Sequence, residues 1–569
     1  MITITVGLGT CGIAAGAQAV YDELLRQIDP QHIQLRKTSC NGHCYQEPIV
    51  EVFQDSKLKG VFYQVKPVDV ATLLRTLLAT KPSSSSRLGQ EQRVVLENCG
   101  LIDPESISEY IDRGGYIALE KARTLSPMDV VTMIKESGLR GRGGAGFSTG
   151  LKWQFALNNP SSPKVVIANA DEGDPGAFMD RAVLEGDPHR VIEGLLIAAH
   201  ATGATSAYIY IRAEYPLAIK RLRHAIAEVS AAGKLGNVSL EIKEGAGAFV
   251  CGEETALMAS MEGERGMPRF KPPFPAQSGL WGQPTTINNV ETLAAIPWIV
   301  RHGAEAFSKL GTEKSRGTKV FSLAGKVKYP GLVEVEMGTS LRTMIEQLGG
   351  GTSSGSPIKA VQMGGPSGGC VPESLLDTAL TYEDLQATGA IMGSGGVIVM
   401  DQATCMIDIA KYFLNFIQNE SCGKCTFCRI GTKRMFEILT RITQGKGDLS
   451  DIDELLDLST QISKASLCQL GKTAANPVLT TLQYFKEEYL EHIVEKKCRA
   501  HVCKALIRYN IKSELCTGCT LCAKRCPVSC IQGAPKGCHI IDESCCTKCG
   551  VCLSVCRFGA VTVSTGVVS

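Results

Sequence analysis

Cysteine is the residue type whose spacing says most: 24 of 569 residues, most of them bunched at two-residue intervals. From Cys516 the chain reads CTGCTLCAKRCP and, thirty residues on, CCTKCGVCLSVCR. Each run is C-x-x-C-x-x-C-x-x-x-C, the two-cluster ferredoxin signature in which the last cysteine of each run ligates the other cluster. That rule assigns Cys516, Cys519, Cys522 and Cys556 to one [4Fe-4S] and Cys526, Cys546, Cys549 and Cys552 to a second. Cys530, Cys538 and Cys545 are surplus, and Arg557 stands where proline usually follows the last ligand. Upstream, Cys422, Cys425 and Cys428 with the remote Cys468 form a third [4Fe-4S] pattern, with zinc as the alternative. HIVEKKCRAHVC adds His492, Cys498 and Cys503, which no cluster uses; with Cys405 they make a candidate structural zinc site. Iron–sulfur clusters at these cysteines would carry electrons one at a time.

A second kind of site is announced by glycine. GLRGRGGAGFSTGLKW, residues 138–153, holds six glycines flanked by Arg140, Arg142 and Lys152. Such backbone lies flat against a ligand, and its N–H groups with nearby cations suit phosphate. The run alone is weak, since mobile surface loops share it. Downstream, a β-branched run at 165–167 ends in Asn169, Asp171, Glu172 and Asp174; a second glycine loop carries Gly252, Glu253 and Glu254; and TTINNVETLA offers Asn288 and Asn289. Three polar segments after strand-like runs predict one cofactor site at strand ends.

These blocks resemble the flavin-binding subunit of respiratory complex I from about Gly138 to Cys468. The resemblance implies FMN at Gly141, Arg142, Gly143, Gly144, Lys152, Asn169, Asp171, Gly252, Glu254, Asn288 and Asn289. It places NADH against Phe147, Phe155, Glu172, Asp174, Glu253, Lys271 and Phe274, with Asp174 where that family usually has glutamate. Aromatic faces suit nicotinamide and adenine, and carboxylates accept from ribose hydroxyls.

Residues 1–80 alternate β-branched runs with two helical patterns, and Cys11, Cys40 and Cys44 resemble the thioredoxin-like [2Fe-2S] domain of the same complex. Val6 occupies the first ligand position. Either the cluster is lost or a non-cysteine ligand completes it; a domain kept for docking is the plain alternative.

The elements that must position these groups form a multidomain α/β chain. The expected order is a thioredoxin-like domain (1–80), a Ser-rich linker (81–90), an FMN- and NADH-binding domain (91–315), a ubiquitin-like β-grasp domain (316–396), a helical bundle with one [4Fe-4S] (397–504) and a ferredoxin domain (505–569). Net charge of +2 argues against a nucleic-acid surface. No stretch of eighteen apolar residues is free of polar interruption, the start lacks a signal peptide's pattern, and cysteine usage fits a reducing cytoplasm.

Joining a complex I-like flavin module to a two-cluster ferredoxin is similar to the flavin subunit of electron-bifurcating hydrogenases and NAD-dependent formate dehydrogenases. That resemblance implies a hydrogenase or formate dehydrogenase catalytic partner, a small [2Fe-2S] thioredoxin-like subunit and ferredoxin, in a hetero-oligomer. A linear NADH dehydrogenase subunit is the other reading.

Overall fold

The computed structural model describes residues 2–55, 57–76 and 93–566; the linker expected at 81–90 lies outside them. The chain forms two compact units, residues 1–399 with 467–469, and residues 400–466 with 470–569. Each is taken by itself.

The first unit contains three sheets. The N-terminal one comprises β1 (Ile2–Gly7), β2 (Ile33–Thr38), β3 (Val50–Gln54) and β4 (Lys57–Phe62), in the order β2-β1-β3-β4. Strands β1 and β2 are parallel, so a crossover must join them. The helix Ala17–Gln27 serves, burying Ala17, Val20 and Leu24 at helical spacing against Ile4 and Val6.

The second sheet is β5 (Val165–Ala170), β6 (Ser206–Arg212), β7 (Ser239–Gly245) and β8 (Thr285–Asn289), all parallel, in the order β7-β6-β5-β8. Its strands are apolar runs because a parallel sheet is covered on both faces. The helix Pro188–Thr202 is buried along nearly its whole length, and Val290–His302 packs against it.

The third sheet holds β9 (Thr318–Gly325), β10 (Gly331–Glu336), β11 (Ile358–Met363), β12 (Gly369–Pro372) and β13 (Gly396–Asp401), ordered β10-β9-β13-β11-β12. The sequence reading turns helical from 397. Instead Val397 pairs in parallel with Leu323, and helix begins only at Met406. A short apolar run has no periodicity that separates a buried strand from a helix start. Glu334 on β10 accepts the N–H groups of Val94, Val95 and Leu96 at 2.9 to 3.1 Å, strapping the lead-in segment to this sheet.

In the second unit, helices Met406–Glu420, Thr432–Thr443, Ser450–Ala465 and Asn476–Leu490 share a core of Ile407, Leu414, Met435, Ile438, Leu455 and Val478. The C-terminal part pairs β14 (Ile507–Ile511) with β17 (Val561–Thr565) and β15 (Ile531–Gln532) with β16 (Ile540–Ile541). Its buried apolar core among the described residues is Cys522, Cys530, Ile531, Cys552 and Val561. So small a core calls for metal ligation to hold the fold. Among the described residues no helix is long and apolar enough to cross a membrane.

Candidate functional site

The glycine loop is a tight return between two helices. Gly141 N–H bonds Phe147 O at 2.8 Å, Thr149 N–H bonds Leu139 O at 3.0 Å, and Ser148 caps the helix Thr149–Asn158. Two glycines are required by geometry. Gly144 adopts φ +116° with Gly393 backbone 3.1 Å from where a Cβ would sit, and a Cβ on Gly143 would meet the Asn289 side chain at 3.1 Å. The loop therefore lies against the end of β8.

Two of the three flanking cations differ from expectation. The Arg142 guanidinium is buried and donates to Arg140 O (3.3 Å) and Arg316 O (2.6 Å), while its own N–H bonds Thr292 Oγ1 at 2.8 Å. Arg140 bonds Gly146 O and Glu383, both at 2.6 Å, and stacks on Tyr382. Both hold the loop's shape, because curled backbone leaves carbonyls that guanidinium forks satisfy. Lys152 alone stays at the strand ends, with Ile287 O at 3.0 Å and Glu254 at 3.4 Å.

At the carboxyl end of β5, Asn169 donates to Gly252 O at 2.9 Å and accepts Asp171 N–H at 3.0 Å, while Asp171 faces Arg212 at 3.5 Å. Asn288 accepts from Trp153 Nε1 at 2.8 Å; Asn289 caps the helix Val290–His302 and donates to Asp180 at 2.6 Å. Lys271 lies 2.6 Å from Glu254 and 3.2 Å from Glu253. Burial pushes the Glu254 carboxyl up, but Lys152 and Lys271 outweigh it and hold the group below the usual carboxylate range. The rings of Phe147, Phe155 and Phe274 are about half exposed, open to a stacking partner.

Glu172 and Glu253 have backbone work. Glu172 accepts the N–H groups of Asp180 (3.0 Å) and Arg181 (3.1 Å) at the start of the helix Met179–Gly186, and the Tyr215 hydroxyl at 3.3 Å. Glu253 caps the helix Glu254–Met261. Asp174 accepts from Ser394 Oγ at 2.8 Å, and burial pushes its carboxyl up to about 6.

Sequence reasoning missed what the β-grasp domain contributes. Tyr382 donates its hydroxyl to Gly141 O at 2.9 Å, and Gly393 and Ser394 press on Gly144 and Asp174. The glycine pairs around 393 were the available signal: backbone approaching backbone excludes side chains.

Metal-type ligand atoms converge within 4.8 Å of one another at two places among the described residues. One is Cys405, His492, Cys498 and Cys503, all buried. Cys405 and Cys503 sulfurs lie 3.7 Å apart, close to the edge of about 3.8 Å that zinc–thiolate bonds of about 2.3 Å give a tetrahedron. His492 turns Nε2 to those sulfurs at 3.3 and 3.4 Å and bonds Glu488 O through Nδ1 at 2.7 Å, which fixes the ligating tautomer. The other is Cys11, Cys40 and Cys44. Val6 is fully buried in the N-terminal core and has no ligating atom.

The cysteines expected to hold [4Fe-4S] clusters range from buried to exposed. Cys428 is buried beside Ser421 Oγ (3.3 Å), Cys422 and Cys425 are half-buried, and Cys468 lies between the helices ending at Ala465 and starting at Gln469. In the ferredoxin part Cys522 and Cys552 start their short helices, and Cys530, expected to be surplus, sits 3.5 Å from Cys526.

With the flavin-type loop and cysteine sets in place, comparison with known proteins is decisive. Residues 134–298 match the Nuo51 FMN-binding domain, 320–371 the SLBB domain, 408–492 the NADH-ubiquinone oxidoreductase-F iron-sulfur binding region and 539–562 a 4Fe-4S binding domain. The chain is 56% identical over 458 residues to the NADP-reducing hydrogenase subunit HndC of Solidesulfovibrio fructosivorans, covering 79% of this chain and 93% of that one. The chain belongs to the family of FMN-binding subunits of complex I-type oxidoreductases. A second family member, an F-type subunit of NADH-quinone oxidoreductase in Rhizobium meliloti (strain 1021), is 45% identical over 417 residues, 72% of this chain and 99% of its own. Among solved structures, an NAD+-reducing [NiFe]-hydrogenase in the H2-reduced state aligns with TM-score 0.65 and 30% identity over 86% of this chain and 84% of that chain. The family members are NAD(P)H-dependent oxidoreductase subunits, and this chain has their FMN-binding and [4Fe-4S]-binding regions.

Proposed function

We propose that this chain is the flavin subunit of a soluble, cytoplasmic hetero-oligomer in which electrons from NAD(P)H divide between a partner hydrogenase and ferredoxin by flavin-based bifurcation. The observation that supports this best is the union of a flavin pocket with a terminal ferredoxin signature. The match to the Rhizobium protein spans nearly all of that protein and leaves over a quarter of this chain beyond it.

Bound FMN would accept a hydride as two electrons and release them singly to iron–sulfur clusters. Gly141, Gly143, Gly144 and Gly252 would offer it backbone, with Arg142 holding the loop. Lys152, Asn169, Asp171, Glu254, Asn288 and Asn289 would bind its polar groups. The donor set fits a phosphorylated, hydroxyl-rich group: N–H groups, one lysine and amides at strand ends. Phe147, Phe155 and Phe274 would stack the dinucleotide, Lys271, Glu253 and Asp174 would meet its ribose and amide groups, and Glu172 would act through the helix it caps. Three [4Fe-4S] clusters would use Cys422, Cys425, Cys428 and Cys468; Cys516, Cys519, Cys522 and Cys556; and Cys526, Cys546, Cys549 and Cys552. A zinc ion would join Cys405, His492, Cys498 and Cys503.

A second reading, a linear NADH dehydrogenase subunit serving formate dehydrogenase or another partner, draws on the likeness to the NADH-quinone oxidoreductase of Rhizobium. Cys546→Ser removes a thiolate from one terminal cluster and substitutes a harder oxygen. NADH oxidation by a small artificial acceptor is expected to persist, and ferredoxin turnover to fall sharply. Ferredoxin turnover unchanged in a variant shown to lack that cluster would place the exit elsewhere.

A further inference from the structure

We propose that Glu47 is the fourth ligand of a [2Fe-2S] centre in the N-terminal domain, its carboxylate replacing the thiolate that Val6 cannot supply. This rests on the reading above that the chain is an iron–sulfur electron carrier.

Three sulfurs converge there, and a carboxylate oxygen lies beside one of them. Cys11 Sγ lies 3.9 Å from Glu47 Oε1, and Cys40 Sγ lies 3.7 Å from Cys44 Sγ. Each distance is near the edge of about 3.8 Å expected for two ligands on one tetrahedral metal. Two such pairs are what a two-iron centre requires. The three sulfurs also lie within 4.8 Å of one another, so opening by side-chain rotation would admit the second iron.

Glu47 is built into this position. It is 6% exposed, and Oε2 accepts Ile49 N–H at 3.0 Å, leaving Oε1 toward Cys11. Gly7 makes room for it: a Cβ there would stand 3.2 Å from Oε1 as its nearest contact, while at Gly12 the Gly7 carbonyl, 2.3 Å from where a Cβ would sit, comes before Oε2 at 3.1 Å. A buried carboxylate with no cation hydrogen-bonded to it among the described residues is costly unless something positive meets it, and a metal beside three thiolates does so. The Gly42 N–H that reaches Cys40 Sγ at 3.3 Å is the kind of outer contact that tunes a cluster's thiolates.

The centre would not stand apart from the flavin pocket. Thr10, next to Cys11, donates its N–H and hydroxyl to Glu185 at 2.8 and 2.5 Å, and Arg221 bonds Leu8 O at 2.8 Å. Gly42, in the second cysteine loop, accepts Leu332 N–H at 2.9 Å.

The test is Mössbauer and EPR spectroscopy of the full-length holoprotein, with iron, sulfide and zinc analysis, on wild type, Glu47→Ala and Glu47→Cys. Wild type should show one [2Fe-2S] beside the [4Fe-4S] signals. Glu47→Ala should lose that signal and about two irons per chain, while FMN and the [4Fe-4S] signals remain. Glu47→Cys should keep the [2Fe-2S] with shifted g-values and midpoint potential. Zinc or no metal in wild type, or an unchanged [2Fe-2S] spectrum in either variant, overturns the proposal. Absence of FMN and [4Fe-4S] signals from wild type would instead sink the functional reading.

Discussion

Lys319 on β9 and Glu291 in the first turn of the helix after β8 form an ion pair with neither side chain open to solvent, at 0% and 1% exposure. The ammonium also donates to Val320 O at 2.9 Å and Ser394 O at 2.5 Å, and the carboxylate accepts Val320 N–H at 2.8 Å. The pair joins the β-grasp domain to the helix that carries Asn289 as its cap. Removing one partner of such a pair leaves a buried, uncompensated charge, which costs about 3–5 kcal/mol. Lys319→Met is expected to lower the thermal midpoint accordingly and to weaken flavin retention; pairing it with Glu291→Leu should recover much of the loss. A Lys319→Met protein as stable as the parent would show that the pair is not what fixes this joint.

Gly144→Ala tests the loop. Its φ of +116° and the adjacent Gly393 backbone leave a methyl group no unstrained place, at a cost of about 1–3 kcal/mol. Flavin content by absorbance should fall well below one per chain while iron content is unchanged. Full flavin occupancy would mean that the loop can adopt another conformation and still bind.

Asp174 gives a pH signature. Burial raises its folded-state value to about 6, above the ordinary carboxyl value of 3.8. Stability from this group is therefore fully present below the ordinary value and lost as pH rises through 6. Asp174→Asn removes the titration, so the variant should gain thermal midpoint relative to wild type between pH 4 and pH 7. A difference that stays flat across that range refutes the assignment.

Cys498→Ser bears on the zinc site. Zinc should fall from about one per chain to near zero with iron unchanged, and the thermal midpoint should drop, because a structural metal contributes its binding free energy to folding. Zinc retained in full would exclude Cys498 as a ligand.

Much of this architecture was legible because three of the four ligands expected for each [4Fe-4S] come from one short stretch, so C-x-x-C-x-x-C spacing survives in the linear chain. The glycine loop was legible for a similar local reason. What could not be read is the use of side chains across domains. Nothing local distinguishes Arg142, folded back on carbonyls, from a phosphate-binding arginine, or Glu172, capping a helix eight residues away, from a ribose ligand. Tyr382 and Ser394 reach the site only after more than 200 residues of chain have folded around it. Cys405 was suggested for the zinc site because it was left unclaimed; its distance from His492 is a tertiary fact.

The helix Met179–Gly186 has one further consequence. Asp180, near one end, holds Asn289 at the flavin-type pocket, and Glu185, near the other, holds Thr10 beside the N-terminal thiols. Five residues of helix make a rod of roughly 8 Å, buried along much of its length and capped by Glu172. The separation of the Asp180 and Glu185 anchor points is thus set by the helix itself.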